Sequence, residues 1–322
     1  MTLSRRMFLQ RVLLSGASLF LLPDNLGYAE NRPVAGAGSG LLRIAMLGDS
    51  HIMGERNSKL EKRLEAAVAQ INALEPQADF AVYMGDAVQD GAPGQFSRFS
   101  AIISGLRPKT YFVPGEHDWY FDLGKSYREF LMKEEIPHSF EFKGYHIILL
   151  NGILQDDFWS EKGLTPEQRM NAASVLNRPP GPFRLGKEQM QWLERDLASI
   201  DRNVPVLIFL HPPLYHYYRK WNFWVEDAPE AQKLLLPFRS VTVFHGHVHQ
   251  AVQNRIGSIR FYSTLSTAWP YPYPESGVPE ETIKMPRPSP ARFYDGLGWG
   301  EAIAGNGEIQ HKDIEWTRVP PE

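Results

Sequence analysis

Six short apolar runs constrain the fold of this 322-residue chain more than any other feature. They fall at 42–47, 80–84, 110–113, 145–151, 205–210 and 241–244, and they are rich in β-branched or aromatic residues. A strand that is apolar on both faces has to be covered on both faces. Helical patterns lie between the runs. Ser58 and Glu61 have the spacing of a capping box, opening a helix with the apolar stripe Leu60, Leu64, Ala67, Ile71 and Leu74. A later stripe carries Met190, Leu193, Leu197 and Ile200. Strand and helix in alternation predict an α/β fold with helical layers outside the sheet.

The residues just beyond the strands are more informative than the strands themselves. "IAMLGDSH" ends in Asp49 and His51, "AVYMGD" in Asp86, and "TYFVPGEHD" in Glu116, His117 and Asp118. "VLIFLHPP" carries His211, and "VTVFHGHVHQ" carries His247 and His249. Open α/β sheets bind ligands at the carboxyl ends of their strands, and these side chains are metal-ligand types. In extended backbone, residues two apart point the same way, so Asp49 with His51, and His247 with His249, are each expected to chelate as a pair. A single Asp-x-His is ordinarily a solvated turn, and a single histidine after a strand is ordinarily a core residue. The ordered set is what carries the argument. The chain has no cysteine, so a metal here would sit on nitrogen and oxygen ligands, and disulfides are excluded.

At these residues the sequence resembles the calcineurin-like metallophosphoesterase family, whose motif order is Asp-x-His, Gly-Asp, Gly-Asn-His-Asp/Glu, His, Gly-His-x-His. Here the motifs read "GDSH", "GD", "GEHD", "LHPP" and "GHVH", spread over about residues 42–265. The resemblance implies a four-layer α-β-β-α sandwich with two metal ions (Mn, Fe or Zn) at one edge. By position, Asp49, His51, Asp86 and His249 would hold one ion, with Asp86 bridging to a second completed by Glu116, His211 and His247. A metal-bound hydroxide would attack a phosphomonoester or phosphodiester, His117 would protonate the leaving group, and Asp118 would orient His117.

Glu116 stands where the family has asparagine, which makes the cluster one charge less positive and its pull on phosphate weaker. The alternative implied is a non-catalytic metal- or phosphate-binding protein whose second metal site has decayed. Gln89 replaces the tyrosine of purple acid phosphatases, and "QDG" lacks the arginine of protein Ser/Thr phosphatases. The segment 212–224, "PPLYHYYRKWNFW", mixes aromatics with His216, Arg219 and Lys220 and is expected either to pack on the sheet or to form a substrate rim.

The N-terminus reads as targeting rather than fold. Arg5 and Arg6 precede a mild apolar segment too short to span a membrane, and small residues end at Ala29. This resembles a Tat export signal over 1–29, although Gln10 departs from the usual lysine. It implies use of the Tat machinery, a periplasmic or otherwise extracytoplasmic location, and no stable span in the mature chain. A linker over 30–40 and one domain over 41–322, with a Pro-rich loop at 269–290, complete the expected organisation. A net charge of −3 offers no basic footprint for nucleic acid.

Overall fold

The two faces of each apolar run go to different places. In β1 (Leu42–Leu47), Leu42, Ile44 and Met46 enter one buried cluster, while Ala45 and Leu47 enter another. In β2 (Phe80–Tyr83) Phe80 and Val82 separate from Ala81 and Tyr83 in the same way. The alternation repeats in β5 (Tyr145–Leu149) and β6 (Val206–Leu210), where Ile147, Leu149, Leu207 and Phe209 join the first cluster and Ile148 and Ile208 the second. The first cluster is the seam between two sheets; the second lies beneath the helices. Period-two side-chain alternation with apolar residues on both faces produces this sandwich.

The chain is described by a computed structural model over residues 41–54, 58–153, 164–173, 183–273, 282–284, 296–305, 308–316 and 318. The signal and linker expected over 1–40 lie outside these residues. One sheet has the order β12-β11-β1-β2-β3, with β3 at Lys109–Phe112, β11 at Gly298–Gly305 and β12 at Glu308–Glu315. β1, β2 and β3 are parallel, and β11 and β12 extend the sheet antiparallel. The other sheet has the order β10-β8-β9-β7-β6-β5-β4. Here β4 is His138–Phe142, β7 Val241–His245, β8 Val252–Ile256, β9 Ile259–Ser263 and β10 Thr282–Lys284. Strands β5, β6, β7 and β9 form its parallel centre. Both sheets are therefore mixed.

Helix α1 (Lys59–Asn72) opens on the expected capping box, with the Ser58 side chain accepting from the Glu61 N–H and the Glu61 carboxylate from the Ser58 N–H, each at 3.2 Å. It buries Leu64, Ala67 and Ile71, each worth roughly 1–3 kcal/mol of transfer free energy. Helices α2 (Pro93–Ile103), α3 (Lys125–Phe130), α4 (Pro166–Ala173), α5 (Gly186–Ala198) and α6 (Ala228–Leu235) come after it. The stretch expected to be one Pro-rich loop contains β10, whose backbone pairs with β8. Among the described residues, no helix is long and apolar enough to cross a membrane.

Candidate metal centre

The parallel strands of both sheets end at one place. Asp49 and His51 come after β1, Asp86 after β2, Glu116 and His117 after β3, His211 after β6, and His247 and His249 after β7. Asp86, Glu116, His211 and His247 form one group able to hold a cation, and Asp49, His51 and His249 form another. Each group draws carboxylates from the ends of β1 to β3 and histidines from the other sheet, so each spans the sandwich. Asp86 lies between them: its Oδ2 is 3.3 Å from His211 Nε2 and 3.6 Å from His51 Nε2.

The local backbone differs from the extended form expected. Asp49 (φ 54°), His51 (46°), Asp86 (51°), His247 (68°) and His249 (47°) all occupy the left-handed region. L-residues adopt it at a cost of roughly 1–2 kcal/mol each. Side-chain direction there does not follow period two. The expectation that His247 and His249 chelate together is corrected: they face different groups, while Asp49 and His51 do share one. Gly115 is required by close approach, since a Cβ there would strike the Asp86 carboxylate, and Gly85 (φ 89°) has the His211 ring against it.

Outer hydrogen bonds fix which ring nitrogen each histidine turns inward. Nδ1–H of His211 donates to Met84 O at 2.6 Å, that of His249 to Trp269 O at 2.7 Å, and that of His51 to Gln89 Oε1 at 3.0 Å. These three rings thus present the Nε2 lone pair. His247 is reversed: Nε2–H donates to Asn222 O at 3.2 Å, and Nδ1 faces inward. Such outer partners are what metal-ligating histidines have.

The inward arrangement makes chemical sense with cations present. His51 Nε2 and His249 Nε2 lie 3.1 Å apart with lone pairs opposed. Glu116 Oε2 sits 3.0 Å from His211 Nε2, and Glu116 Oε1 sits 3.0 Å from His247 Nδ1, so one carboxylate spans two imidazoles. Both Glu116 Oε2 and His211 Nε2 are buried without a hydrogen-bond partner. At metal–ligand distances of about 2.0–2.2 Å, neighbouring ligand atoms stand about 3.0–3.6 Å apart, which is the spacing seen here. The donor set fits two cations.

Electrostatics agree. Burial raises the Glu116 carboxyl, but the imidazoles of His247 and His211 outweigh it and hold it well below the ordinary value. Burial lowers His211, but Asp86 and Glu116 raise it well above the usual histidine range. His51 is driven well below that range by burial and by the neighbouring His117 and His249. The carboxylates demand a positive partner, and His51 resists being that partner by protonation.

His117 stands at the junction, one ring nitrogen lying near the ligand atoms of His51 and Asp86. Its backbone N–H donates to Asp86 Oδ1 at 3.0 Å, and its Nδ1–H donates to the Gln89 carbonyl at 2.6 Å. The expectation that Asp118 orients this ring is corrected. Asp118 is fully buried and accepts from the Val88 and Gly115 backbone N–H groups, at 3.3 and 3.0 Å. The Gln89 carbonyl does the orienting. His245, the last residue of β7, is pushed down to about 3 by burial and packs against Tyr215, outside both ligand groups.

A cavity of about 400 Å³ opens over both groups, lined by His51, Asp86, Glu116, His117, His247 and His249 below and by Tyr120, Phe183, Trp221, Phe223 and Tyr271 around. The segment 212–224 thus contributes Trp221, Asn222 and Phe223 to the wall, while His216, Arg219 and Lys220 are not among its lining residues. Arg219 instead stacks on Trp224, 4.8 Å from the ring centroid. Phe183 and Tyr271 carried no sequence signal as site residues.

Two mixed sheets face to face, with His, Asp and Glu gathered where their parallel strands end, define a metallophosphoesterase: a metal-dependent phosphoric ester hydrolase. The sequence pattern described as "Calcineurin-like phosphoesterase" matches residues 42–251, and the chain belongs to that family. It is 21% identical over 238 residues to a 3′,5′-cyclic-nucleotide phosphodiesterase of Nostoc sp., covering 71% of this chain and 80% of the relative. To a 3′,5′-cyclic adenosine monophosphate phosphodiesterase of Vibrio vulnificus it is 24% identical over 279 residues, covering 83% and 88%. Among solved structures, a dimetal phosphatase from Danio rerio superposes with a TM-score of 0.56 at 15% identity, covering 84% of this chain and 98% of that one.

Proposed function

We propose that this protein is an exported phosphoesterase with two cations, cleaving phosphodiesters in preference to phosphomonoesters. The observation that carries the reading is the pair of ligand groups joined at Asp86, with His117 beside them at the floor of the cavity. Asp49, His51, Asp86 and His249 would hold one ion, and Asp86, Glu116, His211 and His247 the other. Mn, Fe and Zn all suit the nitrogen and oxygen donors. When bound, such ions supply Lewis acidity toward the phosphoryl oxygens and make water a nucleophile at neutral pH.

The remaining chemistry belongs to the chain. The Gln89 carbonyl takes the Nδ1 proton of His117 in a hydrogen bond, so the imidazolium form would give its Nε2 proton to the departing oxygen and be left as the neutral Nδ1–H tautomer. The aromatic wall excludes water and offers faces for a ring on the substrate. Among the described residues lining the cavity none is lysine or arginine. A singly charged diester is served by the cations alone, whereas a dianionic monoester calls for further positive charge. The names of the two bacterial relatives support the same preference. Retention of His117 and the inward Glu116 favour catalysis over a decayed binding site.

Export rests on Arg5, Arg6 and the apolar segment behind them. Metal analysis of the purified protein, with hydrolysis of bis-p-nitrophenyl phosphate and p-nitrophenyl phosphate in added manganese, tests the enzymatic reading. Two ions per chain and faster diester cleavage are expected; fewer than two ions or faster monoester cleavage counts against it. Replacing Arg5 and Arg6 by lysine should retain the protein in the cytoplasm, and undisturbed export would remove that part of the proposal.

A further inference from the structure

We infer that Asn222 is a positioning residue for the metal ligand His247, acting through its backbone carbonyl and its left-handed conformation; this rests on the metal-centre reading above. His247 is the one inward-facing imidazole of the two ligand groups that turns Nδ1 rather than Nε2 toward the carboxylates. What distinguishes it is its outer partner. The other outer acceptors are Met84 O, Trp269 O and Gln89 Oε1; His247 has the carbonyl of Asn222, which sits in a loop reaching over from the end of β6.

The geometry of that loop leaves Asn222 little choice. Its φ of 56° and ψ of 25° end the 3₁₀ turn Arg219–Trp221, and its N–H donates to Arg219 O at 3.2 Å. Tyr218 and Phe223 exchange backbone hydrogen bonds at 3.1 Å, closing the loop around it. The Asn222 amide Nδ2 donates to Ala173 O at the end of α4, and the residue is 5% exposed. Asparagine tolerates the left-handed region better than other residues that carry a side chain, apart from aspartate. In that conformation this closed loop aims the carbonyl at His247 Nε2. Phe223 then presses edge-on against the His247 ring at 5.2 Å, and Phe183 does so from another side at 4.8 Å. The carbonyl selects the tautomer and the two phenyl rings hold the plane. The same loop forms the cavity wall on either side through Trp221 and Phe223, so the substrate wall and this ligand are one mechanical unit.

The test separates the backbone from the side chain. N222G keeps the left-handed conformation and the carbonyl but loses the anchor to Ala173; N222V opposes the conformation. Apo protein is titrated with Co(II), following stoichiometry and visible absorption. Expected are two ions for wild type and N222G, and for N222V a second ion weakened about 10–100-fold, as for loss of an outer-shell partner. Equal weakening in both variants would show that the Ala173 anchor matters instead, and an unaffected N222V would refute the assignment. If N222V does not fold, the zinc-loaded wild type still decides the question. Long-range ¹H–¹⁵N correlation should find the proton of His247 on Nε2 and the metal on Nδ1, and the reverse assignment overturns the inference. Wild type that binds no second ion would instead defeat the metal-centre reading itself.

Discussion

Asp118 is next to His117 in the chain, yet its carboxylate turns away from the imidazole to take the N–H groups of Val88 and Gly115. It ties the loop after β2 to the loop after β3, the two loops that carry Asp86 and Glu116. In D118N the buried amide retains one acceptor oxygen for two N–H donors, at a cost of about 1–3 kcal/mol. Thermal stability and metal content should fall together, with the shape of the pH–rate profile unchanged. A variant with full metal content and a selectively lower turnover would restore Asp118 as the partner of His117.

His117→Ala should leave metal content nearly intact and lower turnover by roughly 10²–10⁴-fold, the usual contribution of a general acid. The loss should be smaller for substrates with good leaving groups such as p-nitrophenolate, which need no proton. Loss of the metals in H117A would show that the ring is a ligand.

Glu116 reaches both His211 and His247, each at 3.0 Å. E116Q keeps that reach and removes one negative charge, so the acidic limb of the pH–rate profile should move to lower pH. E116N shortens the arm, cannot span both imidazoles, and should weaken the second cation. If both variants keep the wild-type profile and metal stoichiometry, the charge of Glu116 plays no part in the site.

Away from the site, His146 is clamped between Glu141 at 2.6 Å and Asp196 at 2.7 Å, with the Ser139 hydroxyl also on Asp196. Burial lowers His146, but the hydrogen bonds with Asp196 and Glu141 outweigh it and raise its pKa, while His146 and Ser139 lower that of Asp196 against its own burial. The imidazolium contribution is complete below the ordinary histidine value of about 6.5 and fades as pH rises through the raised folded value. The Asp196 contribution is complete above about 3.9 and fades on acidification. In chelated protein, the melting-temperature gap between wild type and H146Q should be widest between about pH 4 and 6.5 and should narrow above it. A gap that widens with pH would contradict this account.

The sequence exposed the buried parallel strands and hid the rest for a physical reason. Strands covered on both faces, such as "VLIFL" of β6, are continuous apolar runs. Edge and antiparallel strands mix polar and charged residues, as in "VQNRI" of β8, or carry glycine, as in "GWGEAIAG" of β11, and read as loop. The ligand-type residues were legible because chemistry restricts them to histidine and carboxylates. Their division into two groups came only through the family resemblance, because it depends on left-handed backbone that no side-chain pattern announces. The carbonyls of Gln89, Asn222 and Trp269 were equally silent, since every residue has one.

Each ligand group draws on both sheets, so a bound cation is also a cross-link across the sandwich at one end of the apolar seam. At a hundredfold excess over its dissociation constant, one ion adds about 2.7 kcal/mol against unfolding. That reinforcement is local. A chelator should leave amide protection at Ile44, Val82 and Phe209 in the seam largely intact while the loops beyond β1, β2 and β7 exchange quickly. The molecule would then come apart like a book opening from its unclasped edge, and scarcity of metal would show first as vulnerability to proteases rather than as lost turnover alone.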